Sequence, residues 1–153
     1  MTLDRFNTAI LTALQLDGRI SIKNLADRVD LSTAPCWRRV KRLEEEGYIE
    51  KYTALVNPGK LGMQITAFAE ICLDNHHSET VAAFNQAVVE NDNILECHAV
   101  SGQCDYLLKI VAKDMESYEN FLSKKLLQIF GIRSVNTMFS LKQQKFTMAL
   151  PLE

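Results

Sequence analysis

Apolar residues recur at helical spacing through the first third of the chain. Leu3, Phe6, Ile10, Ala13 and Leu14 form one stripe, which Asp17-Gly18 closes. Ser21 is placed to cap a second, short helix, with Ile22, Leu25, Ala26 and Val29 at i, i+3, i+4 and i+7. Only Asp30 and Leu31 then separate Ser32, the predicted N-cap of a third helix that runs to Gly47. Cys36, Val40 and Leu43 are its buried stripe. Pro35 falls in the first turn, where N–H groups have no intrahelical partner, so it costs little. Two short helices, a tight turn and a third helix make the helix-turn-helix pattern. The period then changes. Tyr48, Ile49, Tyr52, Thr53 and Val56 predict an extended stretch over 48–56, able to act as a wing, and Asn57-Pro58-Gly59 predicts a turn and a domain boundary.

The second half alternates instead. Ile65, Ala67, Ala69, Ile71 and Leu73 predict a strand with one buried face. Ser78 opens a helix with Val81, Phe84 and Val88. Ile94–Val100 and Tyr106–Val111 predict two strands joined by a turn over 101–105. Asp114 caps a helix bearing Met115, Tyr118, Leu122, Leu126 and Ile129. Gly131 ends it, and Val135, Thr137, Phe139 and Leu141 predict a last strand. The order β-α-β-β-α-β is ferredoxin-like, with both helices on one sheet face. Phe68 and Cys72 fall on the other face, which therefore needs cover. The expected class is α+β: a winged helix-turn-helix domain over residues 1–49, a linker strand and turn over 50–61, and a ferredoxin-like domain over 62–153.

Composition changes this picture little. Among 153 residues, 47% are hydrophobic and 24% charged, ordinary for a globular protein. No apolar run approaches the roughly 20 residues that cross a bilayer, and M-T-L-D-R-F lacks a signal-peptide core, so the expected compartment is the cytoplasm with no membrane partner. Cys36, Cys72, Cys97 and Cys104 are scattered, as buried thiols of a cytosolic protein would be. Charge is uneven: residues 1–60 hold ten Lys/Arg against eight Asp/Glu, and the remainder seven against eleven. Any contact with a polyanion therefore belongs to the first part.

The third helix carries that chemistry. Arg38, Arg39, Lys41 and Arg42 put four cations in five residues, which suits double-stranded DNA, although a solvated helix face has the same composition. Arg38, Lys41 and Arg42 can reach phosphates or guanine edges, with Arg39 at the flank and Trp37 beside the outward face. Ser32 and Thr33 sit at the helix N-terminus, where N–H groups favour phosphate, and Ser21 and Lys23 begin the preceding helix. Glu44 to Glu46 are expected at the end away from the phosphates. In the second half, Gly102 permits a turn whose N–H groups form a nest for a carboxylate, and Asp105 can pair with an ammonium group. Ser101, Gln103, Cys104 and Tyr106 complete this candidate effector loop, and Thr137 and Ser140 offer hydroxyls from a neighbouring subunit. The plainer reading is a hairpin turn with Asp105 as its capping residue. A zinc site from Cys97, His98 and Cys104 is disfavoured, because adjacent strand residues point to opposite faces. No cofactor is expected. No nucleophile elbow, phosphate-binding glycine loop or paired-carboxylate motif points to catalysis.

Several stretches together resemble a known family. L-D-R-F-N-T-A-I-L-T-A-L-Q-L-D-G-R-I-S, L-S-T-A-P-C-W-R-R-V-K-R-L-E-E-E-G-Y-I and Y-T-A-L-V-N-P are similar to the N-terminal half of the Lrp/AsnC (feast/famine) transcription regulators, and E-C-H-A-V-S-G-Q-C-D-Y-L-L-K to their amino-acid-sensing half. The resemblance spans essentially the whole chain. It implies a DNA-binding regulator answering to a small effector, usually an amino acid, bound at interfaces between sensing domains. It also implies homodimers held through the linker strand and sensing domains, often assembled as octamers (tetramers of dimers). Trp37 departs from the aliphatic residue typical of that position, which leaves DNA preference open. A thiol- or metal-responsive regulator of the same architecture, and a small ferredoxin-like enzyme, are the alternatives. The basic helix argues against the enzyme.

Overall fold

The computed structural model describes residues 3–152; positions 1, 2 and 153, where the expected domain spans begin and end, lie outside the described residues. The chain divides into two compact units, Met1–Leu55 with Lys145–Glu153, and Val56–Gln144.

The first unit holds three helices. Helix α1 covers Arg5–Leu16, and its N-cap is Asp4, whose carboxylate accepts from the Asn7 N–H at 2.8 Å. Helix α2 covers Ile22–Arg28 and is capped by Ser21, which accepts from the Asn24 N–H at 3.1 Å. Helix α3 covers Thr33–Glu45. Ser32 occupies its N-cap position with extended backbone, yet its side chain makes no capping hydrogen bond. Pro35 explains the departure from expectation: it stands at the third helical position, one of the two that supply the capped N–H, and proline has none. Gly47, at φ 75°, ends the helix in the left-handed conformation that glycine adopts without steric cost. Ile10, Leu25, Cys36 and Leu43 are fully buried where the three helices meet.

Two expectations fail in this unit. Residues 48–56 form no strand, and all but Ile49 are exposed. A strand requires a ladder partner, and none faces this segment among the described residues. The last residues, expected in the second domain, belong to the first unit. The Gln15 side chain donates to the Leu150 carbonyl at 3.2 Å and accepts from the Leu150 N–H at 2.6 Å. Leu152 packs against the helix-turn-helix core. Gln15 and Leu150 stand 135 positions apart, and no local pattern joins them.

The second unit is an antiparallel sheet of β1 (Ile65–Leu73), β2 (Ile94–Ala99), β3 (Tyr106–Ala112) and β4 (Ile132–Phe139), with α4 (Ser78–Val89) and α5 (Met115–Lys124). The spatial order is β2-β3-β1-β4, as the ferredoxin-like reading requires. Ala67, Ala69, Ile71 and Leu73 alternate into the core with Leu108, Ile110 and Ala112 across the β1–β3 register. Phe84, Tyr118, Phe121 and Leu126 complete that core. Asp114 caps α5 as expected, accepting from the Ser117 N–H at 2.7 Å. The predicted helix through Ile129 stops earlier, giving way to a 3-10 turn over Leu126–Gln128. Cys97 packs against this core while neighbouring His98 is exposed, so the two project to different faces.

Candidate nucleic-acid interface and effector loop

Helix α3 buries Cys36, Val40 and Leu43. At about 100° per residue, a position two residues from a buried one lies on nearly the opposite side. Arg38 is two residues from both Cys36 and Val40, so it stands at the centre of the outward face. It is exposed and makes no hydrogen bond or ion pair among the described residues. Ser32, Thr33, Trp37, Lys41 and Arg42 are exposed beside it, and Trp37 is half accessible at 50%. Lys23 is exposed at the start of α2, where the Ser21 hydroxyl oxygen is engaged as the cap.

The four cations are not equivalent. The Arg39 guanidinium donates to Asp4 Oδ2 at 2.7 Å and to Asn7 Oδ1 at 2.9 Å, and lies 5.3 Å from the Phe6 ring centroid. It therefore ties α3 to the start of α1. The Asn7 N–H and then Arg39 hold the Asp4 carboxyl below its usual range. Lys41 donates to Glu44 at 2.7 Å, and Arg42 to Glu46 at 2.6 Å. Glu44 and Glu46, at the C-terminal end of α3, are thus paired with two of the cations. A residue three or four positions further on is a helix neighbour.

The loop over 101–105 follows β2. Ser101, Gly102 and Gln103 are exposed, and Gly102 has φ 133°. The Asp105 carboxylate is occupied at both oxygens: Oδ2 accepts from the Leu73 N–H at 2.7 Å, and Oδ1 lies 2.7 Å from His76 Nε2. The Leu73 N–H first, and His76 second, hold the Asp105 carboxyl below its usual range. Asp105 thus ties the loop to the end of β1 through one oxygen, while the other faces the exposed His76 side chain. Sequence reasoning missed His76, because the contact joins residues 29 apart. The Cys72 thiol donates to the Gln103 carbonyl at 3.4 Å, and Cys104 is half-buried beside it. Tyr106 points the other way, its ring 4.4 Å from that of Phe84. Thr137 is also turned inward: its hydroxyl lies 2.6 Å from the Tyr118 hydroxyl, because β4 pairs it with buried Ala69. Ser140 is exposed just beyond β4, its N–H donating to the Thr66 carbonyl at 2.9 Å. The effector-loop residues and the two hydroxyls therefore do not converge within one chain.

A helix-turn-helix unit with an exposed basic third helix, joined to a βαββαβ unit with an open sheet face and an exposed glycine loop, defines a two-part DNA-binding regulator. Residues 3–50 match the winged helix-turn-helix DNA-binding model, and residues 66–150 the Lrp/AsnC ligand binding domain. The leucine-responsive regulatory proteins of Escherichia coli (strain K12) and Klebsiella pneumoniae are each 43% identical over 143 residues, covering 94% of this chain and 87% of theirs. A transcriptional regulator from Neisseria meningitidis, solved as its L-Met complex, superposes with a TM-score of 0.95 at 34% identity, over 98% of this chain and 97% of that one. An AsnC family transcriptional regulator from Agrobacterium tumefaciens superposes with a TM-score of 0.93 at 37% identity, over 97% of each chain. This chain belongs to the Lrp/AsnC family of transcriptional regulators, and pairs a DNA-binding helix-turn-helix with a ligand-binding domain. No described helix is long and apolar enough to cross a membrane, and no group of three metal-ligating side chains occurs among the described residues.

Proposed function

We propose that α3 enters the DNA major groove with Arg38 as its central reading residue, and that an amino acid bound at the loop over 101–105 regulates this contact. The observation that carries the DNA reading is Arg38 itself: outward, exposed and not engaged within the described chain. Thr33, Trp37, Lys41 and Arg42 flank it and serve as positioning contacts, with Ser32 and Lys23 on the phosphate backbone. The Ser32 hydroxyl is not consumed as a cap, which keeps it available to phosphate. Arg39 is left out of this set, since it holds α1. The test is duplex binding by fluorescence anisotropy. Arg38→Ala is expected to weaken specific binding by about 1–3 kcal/mol and to relax preference at one base position; unchanged affinity removes Arg38 from the reading role.

The amino-acid reading is supported by the L-Met complex of the Neisseria relative. The Gly102 nest suits the carboxylate of such an effector, and Asp105 Oδ1 suits its ammonium, which takes the place of His76. Thr137 is not part of this contact set, because Tyr118 holds it. A melting-temperature screen against the standard amino acids tests the reading, since a ligand bound only by the folded state raises apparent stability.

We further propose a cytoplasmic homodimer, assembled into octamers. Two surfaces support the dimer. The exposed 48–56 segment has strand-forming residues and no ladder partner among the described residues. The open sheet face carries Phe68, Leu107, Val111 and Met138 around the Glu96–Lys109 ion pair of 2.6 Å. A dimer places two copies of α3 on a pseudo-palindromic site. Sedimentation showing monomers at micromolar concentration refutes the dimer.

A further inference from the structure

Lys41, Glu44 and Tyr52 form one connected group. Glu44 accepts from Lys41 Nζ through Oε2 at 2.7 Å and from the Tyr52 hydroxyl through Oε1 at 3.1 Å. The Glu44 side chain is the more sheltered member of the ion pair, 26% exposed against 48% for Lys41. Tyr52 lies in the irregular segment after α3, where its neighbours are exposed. Tyr52 is itself 49% exposed, and one edge of its ring is covered. It lies against Gly18 at the α1–α2 turn, where an added Cβ would stand 3.5 Å from the ring. Burial, and then Glu44, push the Tyr52 hydroxyl up to about 12, so it remains a donor at any physiological pH. The carboxylate therefore has a fixed donor on one side and the reading-helix ammonium on the other.

We infer that Glu44 and Tyr52 are positioning residues for Lys41, holding its ammonium away from the phosphodiester backbone until DNA binding breaks the Lys41–Glu44 contact. An isolated exposed pair three residues apart on a helix is weak, because two long side chains must be ordered in one geometry. Here one carboxylate oxygen is already anchored, so ordering the pair costs less and Lys41 is held more firmly. The segment carrying Tyr52 is the one that lacks a ladder partner within the chain. A displacement of that segment would move the hydroxyl and thereby alter the charge that α3 presents. This inference rests on the reading of α3 as the DNA-contacting helix, and extends it by making the linker position an input to affinity.

The experiment uses the full-length chain, a duplex selected by this chain from a random-sequence pool, and anisotropy over a series of salt concentrations. Tyr52→Phe deletes one hydroxyl and no charge. It is expected to tighten binding on the order of threefold and to steepen the log–log salt dependence by a fraction of one phosphate contact. Glu44→Gln is expected to act in the same direction, with a steepening approaching one contact. The decisive comparison is Tyr52→Phe in a Lys41→Ala background, where its effect should vanish; a structural role for Tyr52 would persist there. Equal effects with and without Lys41, or no change in the salt slope for Tyr52→Phe, overturn the inference. The underlying reading fails separately: if replacing Arg38 and Lys41 together leaves affinity unchanged, α3 is not the reading helix, whatever Tyr52→Phe does.

Discussion

Arg39 separates a structural arginine from a DNA-contacting one within a single basic run. Arg39→Ala removes three contacts at once. The ion pair with Asp4 joins two part-exposed side chains, 31% and 46% accessible, and such pairs contribute about 0.2–1 kcal/mol. The bond to Asn7 Oδ1 is different, since Asn7 is only 2% exposed. Losing a charge-assisted bond to a buried acceptor costs about 1–3 kcal/mol. The cation–π contact with Phe6 adds about 0.5–1 kcal/mol. These contributions share one side chain and do not sum, so we expect a loss of about 2–3 kcal/mol. For a unit of this size that lowers the midpoint by roughly 8–24 °C. The assay pairs thermal unfolding, followed by circular dichroism, with DNA affinity at several salt concentrations. Below the unfolding range, Arg39→Ala should keep the parental salt slope, because its charge is already spent on α1. An unchanged midpoint together with a salt slope smaller by about one contact would refute this reasoning and return Arg39 to the DNA face.

Other outcomes follow from the same geometry. Gly131 sits at φ 85°, and an added Cβ would strike the buried Thr80 side chain, so Gly131→Ala should destabilise the chain by about 2 kcal/mol or more in denaturant unfolding. Cys36 is fully buried and burial raises its thiol pKa, so in the native state it should react with a thiol reagent after the other three cysteines, and at the rate of global unfolding. The folded-state pKa of Asp105 is lowered, so its stabilising contribution is complete above the ordinary carboxylate value of about 3.9 and is lost as pH falls through its folded value. Asp105→Asn should flatten the acid limb of a melting-temperature profile below about pH 4; an unaltered limb means that other carboxylates dominate it. His76→Ala should strengthen amino-acid binding measured by calorimetry, since it removes the competitor for Asp105 Oδ1. Weaker binding would instead make His76 a contact of the effector.

The helices and strands were legible along the chain because burial is periodic within each. Cys36, Val40 and Leu43 mark the inner stripe of α3, and Ala67, Ala69, Ile71 and Leu73 mark the inner face of β1; each set is buried. The β-α-β-β-α-β order and the outward placement of Arg38 follow from the same periods. What each polar side chain does was not legible, because its partner is set by tertiary approach rather than by spacing. Arg39 and Arg42 stand in one basic run, yet one reaches Asp4, 35 positions away, and the other Glu46, four positions away. Spacing puts Asp105 at the end of the turn over 101–105, but only the fold brings the Leu73 N–H and His76 to its two oxygens. Thr137 reads as a free hydroxyl until β4 turns it toward Tyr118. The 48–56 segment has strand-forming residues but no strand, because propensity cannot supply a ladder partner. Local sequence determines which face of an element is apolar; only the folded chain decides which polar groups meet across those faces.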